Sequence, residues 1–121
     1  MPQIKVVFYK GDDGAVPTQE WLDNLPRQAR EKCWNKIKRL KALGHELRRP
    51  EADYLRDGIY ELRILGTVND RLLYFFDKNV YAVVSHGFTK DRQVPPREIE
   101  KAIERKQKFQ QKPEQHTQEN E

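Results

Sequence analysis

The chain has one cysteine, Cys33, among 121 residues. A single thiol forms no intramolecular disulfide and no cysteine cluster for zinc, which fits a reducing cytoplasm, and Cys33 itself reads as a buried helix residue. No apolar run approaches the ~18 residues of a membrane span, and Met1 to Phe8 lacks the long apolar core of a signal peptide, so the chain is expected in the cytoplasm and off the membrane. There is no Gly-rich phosphate loop, no metal-spaced histidine pair and no Gly-x-Ser-x-Gly elbow. Nucleotide hydrolysis, zinc chemistry and serine hydrolysis therefore find no support, and no metal or cofactor is expected. Apolar residues are also scarce, at 36%.

Charge is what the chain has instead, with 35% charged residues and a formal balance of +4. From Arg27 to Arg49 nine basic residues stand against Glu31 and Glu46, so the rest of the chain is net acidic. Arg30, Lys32, Lys36, Lys38, Arg39, Lys41, Arg48 and Arg49 are candidates for docking onto nucleic-acid phosphates, which requires clustered charge without base readout. The plainer reading of the same residues is a solvated helix face.

The length suits one domain. Residues 3–10 alternate loosely around Ile4, Val6 and Phe8 and predict a first strand. A short helix is expected over Gln19–Leu25, with Thr18 as cap, and a second over Arg27–Leu43, stopped by Gly44. Ala29, Cys33, Ile37 and Leu40 give the second helix an apolar stripe, with Trp34 read as core beside it. A loop over His45–Asp57 leads to a hairpin, Gly58–Phe76, and Val80–Phe88 follows as a strand covered on both sides. Pro95-Pro96 opens a last helix with Ile99, Ala102, Ile103 and Phe109 on one stripe. The expected fold is α+β, in the order β-α-α-β-β-β-α: a small, mainly antiparallel four-stranded sheet packed on an N-terminal helical hairpin, with a C-terminal helix. Residues 1–109 would form the domain, and residues 110–121, Gln-rich and without an aliphatic residue, a disordered tail.

The hairpin carries the chemistry. Tyr60, Leu62, Ile64, Leu72, Tyr74 and Phe76 share one face, whereas Glu61, Arg63, Leu65, Arg71, Leu73, Phe75 and Asp77 share the other. With a five-residue loop over Gly66–Asp70, Arg63 opposes Leu73 and Leu65 opposes Arg71. The two arginines are then diagonal neighbours roughly 7–8 Å apart, a spacing that suits one phosphate. The helical pair would cover the even face and leave the arginine face free for a ligand. Arginine donates in pairs to phosphate oxygens and stays charged, so Arg63 and Arg71 form a candidate clamp. Lys90 and Arg92 lie just past the fourth strand and could close the site, and His86 has the pKa range for proton transfer. In the competing reading Glu61 and Asp77 simply pair with Arg63 and Arg71.

GIYELR, the arginine opening RLLYFF, VSHGFTK and PPREIEKAIER, together with the opening VVFYKGDDGAVPTQEWLDNLP, resemble the HigB-like branch of the RelE/ParE toxin superfamily. The resemblance covers Ile4 to about Lys108. It implies a RelE-like toxin domain over residues 1–109, a helix-turn-helix (HigA-like) antitoxin as partner, and ribosome-dependent cleavage of mRNA in the A site. In that pattern Arg71 matches the arginine that opens the third strand, and Lys90 the first basic residue after Gly-Phe. The chain departs from it at Asp91, where a second basic residue is common, and in having no tyrosine after Tyr81. Two other functions remain open: a ParE-like gyrase inhibitor on the same scaffold, and a non-catalytic RNA-binding regulatory module.

Overall fold

A computed structural model describes residues 4–64, 69–90 and 93–119. Three helices and six strands follow one another as β1 (Lys5–Tyr9), α1 (Pro17–Asp23), α2 (Arg27–Leu43), β2 (Ala52–Arg56), β3 (Ile59–Ile64), β4 (Asp70–Asp77), β5 (Tyr81–Thr89), α3 (Pro96–Gln111) and β6 (Thr117–Glu119). One open sheet has the strand order β2-β3-β4-β5-β1-β6. It is mixed, because β1 runs parallel to β5 while the other neighbours are antiparallel. The class is α+β as expected, but the sheet has six strands rather than four.

Both extra strands lie where no strand was expected. β2 falls in the presumed loop before the hairpin and pairs with β3 through Ala52↔Leu62 and Tyr54↔Tyr60. Its turn is Asp57-Gly58, with φ of 52° and 83°. Two positive φ values in a two-residue loop match the right-handed twist of the flanking strands, and glycine takes the second without steric cost. β6 falls in the segment expected to be disordered. It pairs with β1 through Val7↔Glu119, Phe8↔Gln118 and Tyr9↔Thr117. The segment is tied down by His116, which is buried and stacks on Tyr9 at 5.2 Å with its Nδ1 donating to the Lys10 carbonyl at 2.8 Å. No aliphatic residue was needed, because a stacked ring and backbone pairing supply the contacts.

The two faces of the sheet bury two cores. Ile4, Val6, Phe8, Leu62, Ile64, Leu72, Tyr74, Ala82 and Val84 pack against Leu22 of α1 and Cys33, Ile37 and Leu40 of α2. Trp34 joins this core, tilted on Phe8 at 5.7 Å. Leu22, Leu40, Leu62 and Leu72 are fully buried, each contributing about 1.5–3 kcal/mol as an upper estimate. Burial also pushes the Cys33 thiol up to about 12, with Asp70 adding to the shift. The even-numbered hairpin face therefore meets α1 and α2, as its pattern predicted. The odd face is not left open, however. Ile59, Leu73, Phe75 and Val83 pack under Ile99, Ala102 and Phe109 of α3.

α1 starts earlier than expected, with Pro17 in its first turn and Val16 as the capping residue. Thr18 does not cap it; the side chain is fully buried and donates to the Val84 carbonyl at 3.3 Å, joining α1 to β5. Gly87 serves the same contact, since a Cβ there would come within 2.3 Å of the Trp21 ring.

Candidate functional site

The β3/β4 ladder has a different register from the expected one. Arg63 pairs directly with Arg71, Leu62 with Leu72 and Ile64 with Asp70. The slip amounts to two residues, an even number, so every side chain keeps its face while the arginines become direct neighbours. Leu65, expected opposite Arg71, lies outside the described residues.

Two like charges directly opposite repel unless an acid intervenes. Here it is Glu61, only 3% exposed, which accepts from Arg71 Nη1 at 2.9 Å and from Arg63 Nη2 at 3.3 Å. Arg63 also approaches Asp53 of β2 at 3.8 Å, and Asp53 in turn binds Arg49 at 2.9 Å. The Arg49 hydrogen bond holds the Asp53 carboxyl below its usual range. The Arg63 Nε is buried and has no hydrogen-bond partner among the described residues. Asp53, Glu61, Arg63 and Arg71 line an open cavity of about 500 Å³, walled by Tyr54 and Leu55 of β2, by Gln93 and Val94 just before α3, and by Ile99 in its first turn. The guanidinium groups thus face a ligand-sized space while their second contacts fix them in place, an arrangement able to hold an anion.

The other expected site residues are distributed as follows. Lys90 is exposed at the end of β5, where its N–H donates to the Asn69 carbonyl at 3.2 Å. Phe88, two residues earlier, pairs with Arg71, so Lys90 stands just beyond the arginine end of the ladder. Arg92, like Asp91, lies outside the described residues. His86 is buried beneath α3: its Nε2 donates to Glu98 at 2.9 Å, which leaves Nδ1 to accept from Ser85 Oγ at 2.8 Å. Burial, and then the charge of Arg105, push its pKa down to about 4, against an upward pull from Glu98. At neutral pH the ring is therefore uncharged. Asp77 is buried at the far end of β4 from Arg71, so Glu61 alone of the two suggested acids meets the arginines.

The basic surplus on α2 is partly consumed within the fold. Lys36 and Arg39 both hold Glu51, at 2.7 and 2.8 Å, tying α2 to the approach of β2. Hydrogen bonds from Arg39 and then Lys36 drag the Glu51 carboxyl down to about 2. Arg30 is half-buried and donates to the Leu25 carbonyl at 3.4 Å, and Arg49 is held by Asp53. Lys32 is exposed. Lys38, Lys41 and Arg48 are exposed and make no ion pair among the described residues. Sequence reasoning missed Asp53 and Glu51, although Asp57-Gly58 was a hairpin signal that would have revealed β2 and with it Asp53. Among the described residues no group of three or more His, Cys, Asp or Glu could hold a metal ion, and no helix is long and apolar enough to cross a membrane.

Fold and site together define a small α+β protein with a mixed sheet and an arginine pair, pinned on a buried carboxylate, facing an open cavity. Residues 20–107 match the family described as Phage derived protein Gp49-like (DUF891), and the chain belongs to that family. It is a RelE/HigB-like toxin family of toxin–antitoxin systems. No curated protein matches the chain.

Proposed function

We propose that this protein is a toxin of the HigB-like branch with a RelE-like fold, acting in the cytoplasm as a ribosome-dependent mRNA endonuclease held inactive by a helix-turn-helix antitoxin. The observation that carries the reading is the Arg63–Glu61–Arg71 cluster on an open cavity, in a chain of a toxin family. In the reaction the ribose 2′-OH attacks the adjacent phosphorus, the P–O5′ bond breaks, and the products are a 2′,3′-cyclic phosphate and a 5′-OH. The 2′-OH gives up its proton as the leaving oxygen gains one.

Arg71 and Arg63 would stabilise the charge that builds on the phosphate oxygens, the step where fixed donors act most strongly. Glu61 presets both guanidinium planes, so little reorganisation is needed when phosphate arrives. Lys90 would add positive charge from beyond the ladder, and Arg92, two residues on in the sequence, is a further candidate for the same role. His86, neutral and already bonded on both nitrogens, suits the support of α3 better than proton transfer. The exposed cations Lys32, Lys38, Lys41 and Arg48 would meet rRNA phosphates, with the ribosome orienting the 2′-OH.

The test is a ribosome-programmed translation reaction with mRNA 5′ ends mapped by primer extension. Cuts between codons that vanish with Arg71→Ala support the reading. Intact mRNA together with gyrase-dependent DNA breaks would replace it with gyrase poisoning. Loss of function on charge reversal at Lys38 and Lys41, with Arg71→Ala fully active, would replace it with a non-catalytic RNA-binding role.

A further inference from the structure

A second cavity, of about 480 Å³, opens on the other side of β2 and is lined by His45, Leu47, Arg48, Arg49, Ala52, Asp53, Tyr54 and Tyr60. Its three rings, His45, Tyr54 and Tyr60, are backed by Tyr74 and Phe76 of β4, the latter edge-on to Tyr60 at 5.2 Å. Tyr54 meets Tyr60 edge-on at 5.0 Å, Tyr60 stacks on Tyr74 at 5.3 Å, and His45 stacks on Phe76 at 3.7 Å. Tyr54 is 51% exposed, one of two large hydrophobic residues on the described surface with such exposure. It is nonetheless held in place, because its hydroxyl accepts the Gly58 N–H at 3.0 Å. An exposed ring fixed at its far end is a stacking surface that loses little entropy on binding.

Asp53 and Tyr54 line both this cavity and the one in front of Arg63 and Arg71. The two cavities therefore meet across the edge strand β2. Together they contain five arginines, Arg48, Arg49, Arg56, Arg63 and Arg71, against the carboxylates of Asp53 and Glu61. A path with aromatic faces at one end and arginines along it has the chemistry of a single-stranded nucleic-acid groove, where bases stack and phosphates track the cations. A hydrophobic peptide anchor would find one cavity wall cationic and would leave Arg48 unpaired.

From this geometry we infer that the His45–Tyr54–Tyr60 cavity binds one nucleotide of single-stranded RNA, its base stacked on Tyr54 and its phosphate at Arg48, with the strand crossing β2 into the Arg63/Arg71 cavity. The inference rests on the RNA-cleaving reading for its substrate class but is measured without ribosomes or cleavage. The experiment is fluorescence anisotropy with a fluorescein-labelled 2′-O-methyl RNA hexamer, which lacks the attacking hydroxyl, bound to the wild type and to Tyr54→Ala, Tyr54→Phe and Arg48→Ala.

Tyr54→Ala should weaken binding about tenfold or more, and Tyr54→Phe, which keeps the ring, by much less. Arg48→Ala should reduce the slope of log affinity against log salt by about one. Tyr54 is exposed, so thermal melting of Tyr54→Ala should stay close to wild type and exclude misfolding as the cause. No binding by the wild type, or equal binding by Tyr54→Ala, overturns the inference. So does a Tyr54→Ala variant that retains RNA but loses a helix-turn-helix antitoxin, since the cavity would then be a protein anchor. Hexamer binding that needs Tyr54 in a protein that never cuts mRNA would sink the endonuclease reading alone. Arg71-dependent cutting with Tyr54-independent binding would sink the cavity inference alone.

Discussion

Arg63 and Arg71 face each other directly across the β3/β4 ladder, and the carboxylate they share, Glu61, is almost wholly buried. Cations held this way repel each other and are each tied to an acid, so a phosphate between them would relieve the repulsion. The predictions begin from that geometry.

Arg71→Ala should lower ribosome-dependent mRNA cleavage by about a hundredfold or more, the usual consequence of removing one preorganised charge-stabilising donor. Arg71→Lys should recover only part of it, because an ammonium cannot donate to Glu61 and to a phosphate in the planar geometry of a guanidinium. Single-turnover primer extension on programmed ribosomes gives both rates. A lysine variant as fast as wild type would show that charge alone suffices.

Glu61→Gln should destabilise the fold by on the order of 3 kcal/mol, since it leaves the shielded Arg71, 13% exposed, without its carboxylate. Urea unfolding at neutral pH measures the difference. A change below about 0.5 kcal/mol would mean that solvent already screens the pair.

His86 gives a pH signature. Its folded pKa, pushed down to about 4 by burial first and by Arg105 second, lies below the ordinary histidine value near 6.5. The unfolded chain therefore binds this proton more readily. The stability conferred by the neutral ring is complete above about pH 6.5 and is lost as pH falls through that value toward 4. An NMR titration should find the His86 ring unprotonated at pH 5.5, and His86→Asn should flatten the stability profile between pH 6.5 and 4. A ring titrating near 6.5 in the folded protein would show that the pull of Glu98 offsets burial and Arg105, and would return His86 to candidacy for proton transfer.

Truncation after Gln111 removes β6 and the His116 ring stacked on Tyr9. The remaining chain should stay folded but lose on the order of 1–2 kcal/mol, a fall in Tm of roughly 5–10 °C. His116→Ala should account for a large part of that loss. Identical melting of the full and truncated chains would show that the terminal strand adds nothing to stability.

Much of this architecture is legible in the residues alone. The span Arg27–Leu43 carries a helical stripe ended by Gly44, and the structure places α2 over the same residues. The alternation along Tyr60–Ile64 and Leu72–Phe76 assigns the faces of the hairpin, because a period of two survives any even slip in register. The grouping of Arg63 with Arg71 is legible for the same reason. β2 is not: it is a sheet edge whose burial alternates weakly, so it carries little apolar signal, and only Asp57-Gly58 marks it.

What the sequence by itself determined is therefore the local order of elements, their apolar faces, and which arginines share a side. Tertiary structure decided the rest. Register made Arg63 and Arg71 direct neighbours, α3 covered the face that looked open, and β2 brought Asp53 and Tyr54 between two cavities. The physical reason is that periodicity records only which side of an element is apolar. Pairing, by contrast, depends on contacts between segments distant in the chain, and those set whether Glu61 meets one arginine or two.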